Sequence, residues 1–101
     1  MNKCYGLLGI SAKAGKIVSG TDSVLDASKQ NQVKLIIVAE DCSEKTKKEM
    51  KYNCEKYKIP LVFFGTIEEN SHAIGKANRA IIAITDLGLA KSILQIIGGG
   101  E

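Results

Sequence analysis

The 101 residues, with a formal net charge of +3, are enough for one domain around one core and too few for two. A composition of 45% hydrophobic and 25% charged residues argues against disorder, and so small a basic excess argues against a histone-like polycation, so nucleic-acid binding would have to rest on a local patch and on shape. The longest apolar runs, Leu35 to Ala39 and Ala80 to Ile84, are too short to span a bilayer, and the start of the chain does not read as a secretory signal. A cytoplasmic protein without membrane association is expected.

The first helix is predicted from about Asn2 to Ala14, with Cys4, Leu7, Leu8 and Ser11 as its inward stripe and with Gly6 and Gly9 marking close packing against a sheet. Gly15 suits the C′ position, and Ile17-Val18 reads as a short strand. A second helix starts at Ser19-Gly20-Thr21-Asp22. Its inner face carries Thr21, Val24, Leu25 and Ser28, which turns Asp22, Ser23, Asp26 and Lys29 outward.

Val33 to Ala39 is a β-branched run that predicts a strand buried on both faces. Glu40 to Glu44 supplies capping side chains for a helix with Thr46, Met50, Cys54 and Tyr57 inward. Its outer face carries Lys45, Lys47, Lys48 and Lys51, read as a solvated surface paired with Glu44, Glu49 and Glu55. Ile59 to Phe64 reads as a second buried strand, and Thr66-Ile67-Glu68-Glu69 is a capping box for a short helix that reaches Ile74 and closes at Gly75.

After the Lys76-Ala77-Asn78 loop, Arg79 to Ile84 is a strand, and Asp86 caps a last helix with Leu89, Ile93, Ile96 and Ile97 on its apolar stripe. Residues 1–97 are expected to form the single domain and residues 98–101 a flexible tail. Helices alternating with strands predict an α/β fold, a three-layer α-β-α sandwich with a central mixed or largely parallel sheet of about four strands. Sites in such folds form beyond strand ends and beside helix starts, here the Lys13 to Asp22 turn, the Glu40 to Ser43 turn and the Lys76 to Arg79 loop.

The chemistry available is narrow. Cys4, Cys42 and Cys54 lack C-x-x-C spacing and His72 is the sole histidine, so no metal is expected and the cysteines read as buried thiols. Gly15-Lys16 lies outside any G-x-x-x-x-G-K-[ST] motif, no G-x-G-x-x-G occurs, and no nucleophile–histidine–acid set is visible. No enzyme and no cofactor are expected. What stands out is the start of the second helix, where unpaired N–H groups and the positive dipole end suit a phosphate or an electron-rich base edge, with Lys13 and Lys16 just upstream in sequence.

Several motifs in order carry a family resemblance: Gly-Leu-Leu-Gly at 6 to 9, Ala-Gly-Lys-Ile-Val-Ser-Gly at 14 to 20, Val-Lys-Leu-Ile-Ile-Val-Ala-Glu-Asp at 33 to 41, Tyr57-Lys58-Ile59-Pro60, and Ala73-Ile74-Gly75 before Arg79 to Ile84. In these, over nearly its whole length, the chain resembles the kink-turn RNA-binding family of ribosomal proteins L-seven-Ae and L-thirty-e, and within it the small bacterial YlxQ-like members. The resemblance implies a non-catalytic, ribosome-associated protein that binds a sharply bent RNA with tandem sheared G·A pairs. By position, Gly20 would bring its backbone N–H to a phosphate, Thr21 would follow it, and Asp22 and Ser23 would occupy the polar pair that reads the G·A edges. Lys13 and Lys16 would hold phosphates, and Gly75, Lys76, Ala77, Asn78 and Arg79 would form a second wall against the looped-out bases. Three features depart from the family pattern: Asp26 where many relatives carry lysine, Ser23 where Glu or Gln is usual, and the pair Asn70-Ser71 where Leu-Gly is common. DNA is not an expected partner, because a compact domain with two small loops fits irregular RNA better than a major groove. The alternative reading is a protein-interaction adaptor on the same fold, favoured by the paired carboxylates Asp22 and Asp26.

Overall fold

The computed structural model describes residues 3–98. The elements run α1 (Lys3–Lys13), β1 (Ile17–Ser19), α2 (Thr21–Lys29), β2 (Leu35–Val38), α3 (Glu44–Tyr57), β3 (Leu61–Phe63), α4 (Ile67–Ala73), β4 (Ile81–Ile84) and α5 (Leu87–Gly98). The four strands form one sheet in the order β1-β4-β2-β3. Only β2 and β3 are parallel, and β4 lies antiparallel to both β1 and β2, so the sheet is mixed and not largely parallel.

Alternation along the two central strands divides the core. Ile36 and Val38 of β2 and Ile81 and Ala83 of β4 point into one layer with Val24 and Ala27 of α2 and Met50 and Cys54 of α3. Leu35, Ile37, Ile82 and Ile84 point the other way, against Cys4 and Leu8 of α1, Ile74 after α4, and Ala90 and Ile93 of α5. All four residues of β2 and of β4 are buried, as continuous β-branched runs require. The result is the three-layer sandwich.

Some inward assignments shift. Ala27 and Asn53 are buried although the apolar stripes omitted them, while Leu7, Thr21, Leu25, Thr46 and Tyr57 are only half-buried. Asn53 is accommodated because its Nδ2 donates to Ser28 Oγ at 3.0 Å, and Ser28 Oγ donates to Val24 O at 2.8 Å, so a polar contact joins α3 to α2. β3 is half-buried because it is the sheet edge, which an apolar run cannot reveal. Gly9 packs against α4, where a Cβ would lie 3.4 Å from Ala73 O, and Gly6 is exposed, so neither glycine marks contact with the sheet. Gly98 is the last residue of α5, whereas a flexible tail was expected from that point; residues 99–101 and Asn2 lie outside the described residues.

Helix ends are closed as the residues dictate. Gly15 (φ 72°) and Gly75 (φ 72°) each follow a helix in the left-handed conformation, and the next N–H groups reach back, Lys16 N to Ser11 O and Lys76 N to Ser71 O, both at 2.9 Å. Ser43 caps α3 and Thr66 caps α4, accepting from Thr46 N at 3.1 Å and Glu69 N at 3.0 Å. Burial raises the thiols of Cys4 and Cys54 from 9.0 to about 11, which keeps both protonated at neutral pH.

Of the described glycines, Gly65 in the turn before α4 has the least room for a side chain. Gly65 has φ 67°, and a Cβ there would run into Asn70 Oδ1 and lie 2.6 Å from the Tyr5 hydroxyl. Gly65→Ala is therefore expected to destabilise the fold by about 2 kcal/mol or more, through left-handed strain plus the clash. Urea unfolding measures this, and an unchanged midpoint would contradict it.

Candidate nucleic-acid interface

β1 ends at Ser19, and Gly20 (φ 92°, ψ 150°) turns the chain into α2. Few side-chain-bearing residues tolerate that φ, so a glycine is needed at this corner. Its N–H donates to Ile81 O at 3.0 Å and is thus committed to the sheet. This corrects the expectation that Gly20 offers its N–H to a phosphate. The first ladder bond of α2 is Val24 N to Gly20 O at 3.0 Å, and no side chain caps the helix, which leaves the N–H groups of Thr21, Asp22 and Ser23 facing outward from its positive end. The anion-binding donors at this corner are theirs.

Asp22, Ser23, Asp26 and Lys29 are all exposed and, with Leu25, line a shallow hollow on the outer face of α2. Asp22 lies in the first turn, where the helix dipole favours its charge. An ionised carboxylate only accepts hydrogen bonds, so amino groups on base edges are its chemical complement.

The second wall is the loop from Gly75 to Arg79. Lys76, Ala77 and Asn78 are exposed, and Asn78 holds φ 56°. Arg79 anchors the loop from within. Its N–H donates to the buried Ser71 Oγ at 2.7 Å, and the Ser71 hydroxyl lies 3.3 Å from the Arg79 carbonyl oxygen. Its guanidinium donates from Nε to Ser19 Oγ at 3.1 Å and from Nη1 to Ala77 O at 3.1 Å. One arginine therefore ties the loop to the last residue of β1, next to the start of α2. Ser19, Gly75 and Lys76, with Ile74, Ile17 and Ala12, line a polar hollow on this side of the loop. Asn70 is buried as well, its Nδ2 donating to Phe64 O at 2.8 Å, so the polar pair Asn70-Ser71 holds two turns where apolar residues would hold neither.

Lys16, expected beside Gly20, has its backbone at the far end of β1. Lys13 ends α1, and the carbonyl of Lys16 accepts from Thr85 N at 2.9 Å, at the opposite end of β1. Four extended residues separate Lys16 from Gly20 by roughly 13 Å. Lys76 and Arg79 belong to the loop beside the corner, and Ala12, next to Lys13, lines the same hollow as Ser19 and Lys76. The Glu40 to Ser43 turn has structural uses: Asp41 Oδ1 accepts from Ile67 N at 2.9 Å and caps α4, as Ser43 caps α3. His72 is exposed, and among the described residues no group of three or more His, Cys, Asp or Glu is placed to hold a metal. Sequence reasoning missed Ser19 and the anchoring role of Ser71; the one available signal was a serine at 71 in place of an apolar or glycine residue.

A four-stranded mixed sheet between helical layers, with a helix start and an arginine-tied loop side by side, defines a small α/β/α domain. The chain belongs to the ribosomal protein L7Ae/L30e/S12e/Gadd45 family, whose model matches residues 2–94, and it is a non-catalytic member. It is similar to the RNA-binding protein YlxQ of Bacillus subtilis (strain 168), 32% identical over 93 residues that cover 92% of this chain and 93% of that protein. It is also similar to the large ribosomal subunit protein eL8 of Thermoplasma volcanium, 29% identical over 94% of this chain and 83% of that protein. A solved structure of a protein of unknown function from Bacillus halodurans superposes with a TM-score of 0.93 at 32% identity, covering 96% of this chain and 98% of that one. No helix among the described residues is long and apolar enough to cross a membrane.

Ser71→Ala strands the Arg79 N–H in a half-buried position, at an expected cost of about 1–2 kcal/mol. Amide exchange of Arg79 should accelerate more than that of the β2 core. Unchanged protection at Arg79 would show that the loop is held by other means.

Proposed function

We propose that this chain is a cytoplasmic, ribosome-associated RNA-binding protein and that the element it captures is a kink-turn. The observation that carries the reading is the Arg79–Ser19 tie, which holds the start of α2 and the Gly75–Arg79 loop as two walls of one surface. The outward N–H groups of Thr21, Asp22 and Ser23 would meet a phosphate or base acceptor at the bend. Asp22 would accept from an amino group of a sheared G·A pair, and Ser23, able to donate and accept, would take a neighbouring edge. Asp26, one turn further on the same exposed face, would need a second base donor, since it repels phosphate. Lys76 would neutralise a phosphate at the corner, Ala77 and Asn78 would contact the looped-out bases, and Gly75 lets the loop turn without bulk. Lys13 and Lys16 would reach phosphates of a flanking helix, Lys16 roughly 13 Å along the strand. RNA suits this surface better than DNA because its splayed elements expose base edges that a regular duplex hides.

One observation favours a second reading, a protein-interaction adaptor: Asp22 and Asp26 share an exposed face on which no lysine but Lys29 is present. The two readings separate cleanly. A short kink-turn RNA, the same RNA with its G·A pairs replaced by Watson–Crick pairs, and a plain duplex of equal length are titrated at two salt concentrations. The wild-type chain should prefer the kink-turn by at least tenfold, corresponding to about 1–3 kcal/mol per specific base contact. Asp22→Ala should erase the preference for G·A pairs, while Lys76→Ala should weaken every RNA and reduce the salt slope by about one. Equal binding of kink-turn and duplex would overturn the reading, and a protein partner retained after ribonuclease treatment would favour the adaptor.

A further inference from the structure

Outside the corner, the outer face of α3 is rich in lysine; it is solvent-exposed as expected, and of the expected pairings with Glu44, Glu49 and Glu55 one forms. Six of the chain's cations, Lys45, Lys47, Lys48, Lys51, Lys56 and Lys58, lie on α3 or at its C-cap. The only ion pair among the described residues is Lys47 Nζ to Glu44 Oε2 at 3.4 Å. Lys51 Nζ instead lies 5.7 Å from the Phe63 ring, on the β3 side of the helix. Lys45, Lys48 and Lys56 are exposed and form no ion pair among the described residues.

These three lysines share one stripe with Tyr52. Their spacing of three, four and four residues keeps all four within roughly 80° of the helix circumference and spreads them over about 16 Å. Tyr52 is 68% exposed, more than any other large hydrophobic residue among those described. The other aromatics are engaged: Tyr5 packs on Phe64 at 5.3 Å and donates to Glu69, and Tyr57 is half-buried with Lys56 Nζ 5.4 Å from its ring. An exposed ring among cations that form no ion pair with the described carboxylates matches the chemistry of a nucleotide, a π-face flanked by phosphates. Glu49 and Glu55 lie to either side of the stripe on the helix surface. The stripe lies on the helix next to α2 in the same layer, the two joined near the C-terminal end of α2 by the Asn53–Ser28 hydrogen bond. RNA on the outer face of α2 would thus meet α3 within one interhelix spacing of about 10 Å.

We propose that the outer face of α3 is a second RNA contact, on which an unpaired base stacks against Tyr52 while Lys45, Lys48 and Lys56 hold the phosphates to either side. The proposal rests on RNA binding as read above, and is independent of which element the α2 corner recognises. It enlarges the ligand from a bent duplex to a bent duplex with a single-stranded flank.

The chain contains no tryptophan, so Tyr52→Trp installs a single fluorescent reporter on an exposed site. The variant is titrated with a blunt-ended kink-turn RNA, with the same RNA carrying a short single-stranded extension, with that single strand alone, and with polyglutamate. Quenching by the extended RNA and by the single strand, and none by the blunt RNA, is expected. In parallel, Tyr52→Ala should weaken binding of the extended RNA about tenfold and leave the blunt RNA unchanged. Replacing Lys45, Lys48 and Lys56 together by alanine should lower the salt slope for the single strand by about two. If the chain shows no preference for a kink-turn, the single-strand arm still reads α3 alone. Absence of quenching by every single-stranded RNA, or an equal response to polyglutamate, would overturn the proposal, the latter by assigning the face to an acidic protein.

Discussion

The candidate surface depends on one feature of the topology, the antiparallel insertion of β4 between β1 and β2. Because β4 runs against β1, the segment entering β4 lies beside the residues leaving β1, and a loop some sixty residues from Gly20 in sequence becomes its neighbour. The Gly20–Ile81 hydrogen bond fixes that meeting, and the Arg79–Ser19 hydrogen bond locks it. A parallel β4 would have placed the Gly75–Arg79 loop at the other end of the sheet, with Lys16. The same insertion buries both faces of β4, so the rigidity of the core is transmitted directly to the loop that precedes it.

Much of this architecture was legible in residue patterns, for identifiable physical reasons. The apolar, largely β-branched runs marked the two central strands, and Gly15, Gly75, Ser43, Thr66 and Asp86 each carry the conformational or hydrogen-bonding property that a helix end requires. Direction and order within the sheet were not legible, because pairing partners leave no local mark on a four-residue strand. That is why β3 read as buried and why Lys16, close to Gly20 in sequence, was expected at its side. The outward face of α2 was visible from periodicity alone, whereas the use of the Gly20 N–H depended on a strand far along the chain. Arg79 illustrates the same limit. It was expected in the wall against the RNA, and its hydrogen bonds to Ser19 Oγ, Ala77 O and Ser71 Oγ show a residue engaged within the fold.

The charge pattern then acquires a consistent sense. With a net charge of only +3, affinity for RNA would be set by where the cations stand and by what leaves them unpaired. They are sparse at the corner, where backbone donors and a carboxylate would read base edges, and dense along α3, where an exposed tyrosine accompanies them. Discrimination and electrostatic capture would thus be divided between neighbouring helices of one layer.

Amide chemical-shift mapping of the chain with one equivalent of kink-turn RNA tests the central claim most directly. If the two walls form one surface, residues 20–26 and 75–79 shift together and saturate at the same RNA concentration, and a plain duplex of equal length moves neither. Shifts confined to one wall, or an identical pattern with the duplex, would contradict it.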